Sequence, residues 1–210
     1  MEENNNIYVS SRGLLKSCDY FSLTPYSSIR QLYNYPQLEK IKNIKNPNIY
    51  ICSSAILHFI VTMLPLIDFS FILVSGDCDE TIPYEILNNK ILLKLLNDNR
   101  LIHWFCQNMT LEHNKITRIP IGLDYHTLTQ RPLWGPITSC QDQEKMLSMI
   151  KDKSLPFWNR NIKCYANYHF SMNTKLGYDR KDAFQKINKE LVYYEENKVT
   201  RLVTWNKQKD

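Results

Sequence analysis

The stretch FSFILVSGDCDE, residues 69–80, decides how this chain is read. Residues 69–75 form an unbroken run rich in β-branched and aromatic side chains, as a strand buried on both faces requires. The run stops at Gly76, and three acids follow it, Asp77, Asp79 and Glu80. Polar groups directly behind a buried strand stand where open α/β sheets place their ligand crevices, at the carboxyl ends of the strands.

Two readings of those acids stay open. Asp77 and Asp79 form an Asp-x-Asp pair of hard oxygen donors, the pattern with which one class of sugar transferases holds magnesium or manganese against a nucleotide diphosphate. The same acids can instead precede a helix: Thr81 with Pro83 reads as a helix start, and negative charge there complements the helix dipole. Three-residue acidic patterns also arise by chance in loops.

Working outward, residues 49–52 (IYIC) read as a strand and residues 55–64 as a helix apolar nearly all round. A helix is expected from about Pro83 to Asn99. Residues 101–106 (LIHWFC) form the next strand, ending in Gln107 and Asn108, and residues 115–121 another, ending in GLDYH at 122–126. Residues 129–139 are a loop carrying Arg131 and Trp134. Residues 141–153 are a helix whose apolar side is Met146, Leu147, Met149 and Ile150. Residues 161–168 are a strand, Asp179 caps a helix running to about Glu190, and residues 192–194 are a last short strand. Strands and helices alternate without internal repeat, so the expected fold is α/β, Rossmann-like, with a mostly parallel sheet and helices on both faces. Its core should contain Ile51, Phe71, Leu73, Trp104, Ile119 and Ile121. Residues 1–45 form a polar segment packing on a domain of residues 46–210.

Composition narrows the function classes. With 43% hydrophobic and 22% charged residues in 210, the chain can bury a full core. The net charge of +5 is spread along the chain, so no nucleic acid partner is called for. Six cysteines lie far apart with no Cys-x-x-Cys pair, which argues against a zinc site and a disulfide framework and for a reducing, cytoplasmic setting. Cys52 and Cys106 lie in apolar runs and read as buried small hydrophobes. The opening MEENNN has neither the basic nor the apolar region of a secretory signal. The apolar tract 55–74 is interrupted by His58, Pro65 and Asp68, so no membrane span is expected. The five histidines show no metal-ligand spacing.

Four strings in this order, LVSGDCD (73–79), WFCQN with IPIGLDYHTL (104–108, 119–128), KCYANYHFSMNTKLGYDR (163–180) and RLVTWNKQ (201–208), resemble the N-terminal half of exostosin-like glycosyltransferases of large DNA viruses and some bacteria. The resemblance implies the acceptor-side domain of a two-Rossmann-domain (GT-B-type) enzyme, with a nucleotide sugar as co-substrate bound mainly by a donor-side domain not present in these residues. For a viral protein the setting would be host cytoplasm or virion. It implies catalytic roles for Asp77, Asp79 and His126. Asn108, Asp124, Lys175, Tyr178 and Arg180 would bind substrate, Lys175 and Arg180 facing phosphate. Each has a plainer alternative: His126 bracing its turn, Asp124 an ordinary turn acid, Asn108 satisfying loop backbone, Arg180 pairing with Asp179 or Asp182.

Three functions follow as expectations. The first is a glycosyltransferase or its acceptor-side domain, transferring sugar to a glycan or protein in surface glycan synthesis. The second is a non-catalytic glycan-binding or protein-interaction module. The third is a single-domain metal-dependent transferase built on Asp77 and Asp79, although no metal site is assigned. Because parallel strands present their carboxyl ends on one edge, Asp77, Asn108, Asp124, His126 and the 173–180 loop are expected to line one cleft.

Overall fold

A computed structural model of the protein describes residues 3–21, 35–132, 135–168 and 171–195. Trp134, His169 and the string 201–208 lie outside them. The chain divides into two compact units, Met1–Asp124 and Tyr125–Asp210.

In the first unit the order is α1 (Ser11–Lys16), α2 (Tyr35–Ile41), β1 (Asn48–Cys52), a mixed helical run over 53–66, β2 (Phe71–Gly76), α3 (Asn89–Leu96), β3 (Leu101–Cys106) and β4 (Ile116–Arg118). The four strands form one all-parallel sheet in the order β1-β2-β3-β4, with Ile49 beside Leu73 and Leu73 beside Trp104. The expected α/β, Rossmann-like fold is there. Its two faces separate by the period of two that pleating imposes. Ile49, Ile51, Phe71, Leu73, Trp104 and Cys106 pack against the crossovers, residues 55–67 and 87–96. Tyr50, Ile72, Val74 and Phe105 pack against Leu15 and Cys18 of the α1 region on the other side. Both crossovers on one face is what right-handed connections dictate when sequential strands add in one direction. The outer edge of β1 is covered by Tyr20, which accepts from Tyr50 N–H at 2.8 Å and donates to the Asn48 carbonyl at 3.1 Å.

The 53–66 run winds through 3₁₀, α, π and 3₁₀ segments. Its buried residues, Ala55, Phe59 and Met63 with Ile56, Ile60 and Leu64, recur in steps of four. Four α-helical steps overshoot a full turn by about 40°, and the wider π turn removes that drift. The run is not apolar all round in its packing: Leu57 and Val61 face outward. No helix among the described residues is long and apolar enough to cross a membrane.

Three further expectations are corrected. No helix begins at Pro83, which follows a cis peptide bond. Residues 83–86 form a turn in which Glu85 Oε2 accepts from Thr81 N–H at 2.5 Å. The helix starts six residues later at Asn89, capped by Asn88, whose Oδ1 accepts from Ile91 N–H at 3.0 Å. The strand after β3 pairs only over Ile116–Arg118, so Ile119 is half-buried and Ile121 is 58% exposed. Ile51, Phe71, Leu73 and Trp104 are buried as expected.

The second unit contains α4 (Tyr125–Gln130), α5 (Cys140–Lys153), β5 (Cys164–Ala166), α6 (Tyr178–Lys186) and β6 (Val192–Tyr194). β5 and β6 pair in parallel as a separate two-stranded sheet. The buried side of α5 is not its methionines, Met149 being 55% exposed, but Cys140, Gln143 and Glu144. Gln143 Nε2 donates to the carbonyls of Tyr125 (3.0 Å) and Thr138 (3.1 Å), and the Tyr125 hydroxyl donates to Glu144 Oε1 at 3.3 Å. Polar groups there replace an apolar stripe, with Gln143 Nε2 and the Tyr125–Glu144 pair satisfied and Gln143 Oε1 buried without a partner among the described residues. Asp179 lies in the first turn of α6 and is not its cap; Gly177 holds that position.

At the amino end of the sheet Asp98 accepts from Arg100 at three donors, the backbone N–H (2.9 Å), Nε (2.9 Å) and Nη2 (2.6 Å). Arg100 also donates to the Ile67 carbonyl, and Lys115 Nζ caps the carbonyls of Leu96 and Asp98 at 3.0 Å. The Arg100 hydrogen bonds hold the Asp98 carboxyl below its ordinary pKa. A depressed carboxylate stabilises the fold above its unfolded value of about 3.9, and the contribution is lost as pH falls through the lower folded value. Asp98→Asn is therefore expected to cost about 1–3 kcal/mol at pH 7, with the gap to wild type closing below about pH 4 in urea unfolding.

Candidate functional site

Gly76 ends β2, and Asp77 follows with φ +60°, a left-handed conformation that a residue with a Cβ rarely adopts. Its neighbours impose it. The Asp77 N–H donates to Gln107 Oε1 at 3.0 Å, from the end of β3, and the Asp77 carbonyl accepts from the Cys52 thiol at 3.4 Å, from the end of β1. The backbone of one acid is thus clamped from both flanking strands. Asn108 is also left-handed, at φ +53°. Its Nδ2 donates to the Cys78 carbonyl at 2.9 Å, and its own carbonyl accepts from Ile82 N–H at 3.0 Å. Thr110 then donates to the Ile82 carbonyl through both N–H (2.8 Å) and hydroxyl (3.1 Å). The acidic loop is sewn to the 107–110 loop along its length. The plainer expectation for Asn108, satisfying loop backbone, describes what its amide does.

Beneath the loops lies a buried polar chain. Trp104 Nε1 donates to Ser75 Oγ at 2.9 Å, the Ser75 hydroxyl donates to Cys106 Sγ at 3.0 Å, and that thiol donates to the Gln107 carbonyl at 3.1 Å. Burial pushes the Cys106 thiol up to about 12 and the half-buried Cys78 thiol up to about 11. Both are neutral at physiological pH, so neither is an activated nucleophile. Tyr50 lies under Gly76 and Asp77, and its phenol is held far above the ordinary range by burial first and by the Asp77 charge second. Asp77 is half-buried and its charge acts on this neutral phenol, while Asp79 and Glu80 are exposed. Gln107 is buried, and its Nε2 has no hydrogen-bond partner among the described residues.

The structure thus brings Asp77, Asp79 and Asn108 together at the carboxyl edge of the first unit. Asp124 ends that unit, behind Gly122 (φ +76°) and Leu123, which is bonded to the α1 entry through Leu123 N–H to the Val9 carbonyl at 2.8 Å. The other candidates belong to the second unit. His126 is half-buried in the first turn of α4 rather than in a loop. Lys175 lies in a 3₁₀ turn whose cap, Thr174 Oγ1, accepts from Gly177 N–H at 3.1 Å. Lys175 and Tyr178 line a cavity of about 570 Å³ with Asn173, Asp179 and Lys181. Arg180 is half-buried outside that lining.

The acids after β2 do not precede a helix, so the dipole reading of them falls. Among the described residues no three His, Cys, Asp or Glu side chains are gathered to hold a metal ion. Gln107, Ser75 and Tyr50 are the site residues that the sequence reading missed. The signal for Gln107 was its place directly after β3, the same signal that singled out Asn108. Searches against protein-family models and curated proteins find no match for this chain.

Two outcomes check this geometry. A methyl group added at Gly76 would lie 2.9 Å from Gln107 Oε1, and the buried amide has little room to swing away. Gly76→Ala is expected to cost about 1–3 kcal/mol in urea unfolding and to speed hydrogen exchange at the Asp77 amide. With Cys164 exposed, Cys78 half-buried and the other thiols buried, a disulfide reagent at neutral pH should label Cys164 first, mapped by mass spectrometry, and Cys106 only on unfolding.

Proposed function

We propose that this protein binds a sugar acceptor at the carboxyl edge of its parallel sheet and serves as the acceptor-side part of a glycosyltransferase, with Asp77 accepting the proton of the attacking hydroxyl. The observation that carries the reading is Asp77 itself. Its backbone is strained at φ +60° and clamped by Gln107 and Cys52, and its carboxylate is half-buried at the end of the central strand. Strain of about 1–3 kcal/mol persists only where surroundings over-determine it, and it collects at functional sites. A general base needs such fixed placement, because it must reach the hydroxyl proton within hydrogen-bond distance.

The resemblance of residues 73–79 and 119–128 to exostosin-like transferases supports the same reading, and it assigns the nucleotide sugar as co-substrate. The cavity of the second unit, with Lys175, Lys181 and Tyr178 against Asp179, has the charge to meet a diphosphate.

The test is an NMR titration of the full chain with a saccharide panel and with nucleotide sugars, with and without manganese. Saccharide binding should shift the amides of residues 76–79 and 107–109. Asp77→Asn should weaken it at least about tenfold, the scale of one lost charge-assisted hydrogen bond, without lowering Tm. Shifts confined to other residues, or binding indifferent to Asp77→Asn, would remove the acceptor site. Saccharide binding with no response to any nucleotide sugar would leave a glycan-binding module instead.

A further inference from the structure

We propose that the segment 151–163 of the second unit, KDKSLPFWNRNIK, is a docking surface for an anionic lipid membrane. Behind α5 the chain turns through a 3₁₀ segment, Phe157–Asn159, closed by Asn159 N–H to the Pro156 carbonyl at 2.8 Å. The turn holds Phe157 and Trp158 outward with their rings edge to face at 5.1 Å, 76% and 71% exposed. Leu155 and Ile162 are exposed on either side of them, Ile162 to 92%. Four large apolar side chains within eight residues stand in solvent although the unit has a helix and a sheet on which to bury them. Single exposed apolar residues are ordinary, but two exposed rings in contact, with exposed apolar residues close by on either side in the chain, mark an interaction surface.

Charge selects the partner. Lys151, Lys153, Arg160 and Lys163 accompany the apolar group, and all are exposed, against the single acid Asp152. Arg160 is fixed at the turn, its Nε donating to the Leu155 carbonyl at 2.7 Å. Aromatic rings flanked by cations match the boundary of an anionic bilayer, where Trp and Phe enter the headgroup region while Lys and Arg remain with the phosphates. A single nucleic acid strand would also attract cations and stack on rings, but the exposed Leu155 and Ile162 gain nothing from stacking and do gain from hydrocarbon. This inference does not depend on the acceptor-site reading.

The test is co-sedimentation of the full chain with vesicles of phosphatidylcholine alone and with about one third phosphatidylglycerol. Binding is expected to the anionic vesicles, to weaken as salt rises, and to blue-shift tryptophan emission. Phe157→Ala with Trp158→Ala should lower partitioning at least about tenfold, two buried rings being lost. Trp158→Phe should keep the binding and lose most of the blue shift. Glutamine at the four cations should abolish the preference for anionic lipid. All these positions are exposed, and an unchanged melting curve confirms the fold of each variant. The proposal is overturned by wild-type protein remaining in the supernatant, by the double variant sedimenting equally, by the patch serving single-stranded oligonucleotide instead, or by the double variant altering only oligomeric state in lipid-free solution.

Discussion

The first unit depends on one constraint, the pairing of β2 with parallel neighbours on both sides in a register that ends at Gly76. A parallel strand leaves every carboxyl end on the same edge, so the residues that follow β1, β2 and β3 must meet there whatever they are. What distinguishes this protein is how completely those ends are joined to one another. Cys52 reaches the Asp77 carbonyl, Gln107 the Asp77 N–H, and Asn108 the Cys78 carbonyl, so each loop is braced by its neighbour as well as by its own turn bonds.

The brace rests on the Trp104, Ser75 and Cys106 chain, which is buried beneath the loops. An unpaired hydroxyl in such a place costs about 1–3 kcal/mol, so Ser75 is tolerated only because it accepts from Trp104 and donates to Cys106. The same chain ties β2 to β3 at the last pairs before the loops, where backbone pairing runs out. The edge with its half-buried acid is thereby supported from inside the core rather than from solvent.

Much of this was legible because the sheet is driven by hydrophobic pattern. The run ending at Ser75 and the run LIHWFC gave their strands to within about two residues, since each is bounded by a sharp change from apolar to polar. The helix start at Pro83 was not legible. Thr81 and Pro83 are good local signals, but the Ile82 backbone is committed to Asn108 and Thr110, a long-range pairing that no local window contains. Met149 misled for a related reason: α5 satisfies Gln143 and Glu144 with carbonyl and phenol partners, so its polar side is the buried one. In the site, Asp77 was visible from its position after a strand, whereas its φ and its dependence on Gln107 are tertiary facts.

The way the edge spends its backbone also bears on what it can bind. Phosphate sites in parallel α/β sheets usually draw on free main-chain N–H groups, presented by glycine-rich turns or by a helix beginning directly after the strand. Behind β2 and β3 the N–H of Asp77 is taken by Gln107 and that of Gln107 by the Ser75 carbonyl, and β2 is followed by no regular helix until Asn89; only β1 runs directly into a helical segment, at Ser53. With those donors consumed and the local charge negative, the part of the edge behind β2 and β3 is a poor cradle for a diphosphate. Its offering is the half-buried Asp77, whose carboxylate is an acceptor for hydroxyl donors. The cations that a diphosphate needs, Lys175 and Lys181, line the cavity of the second unit instead.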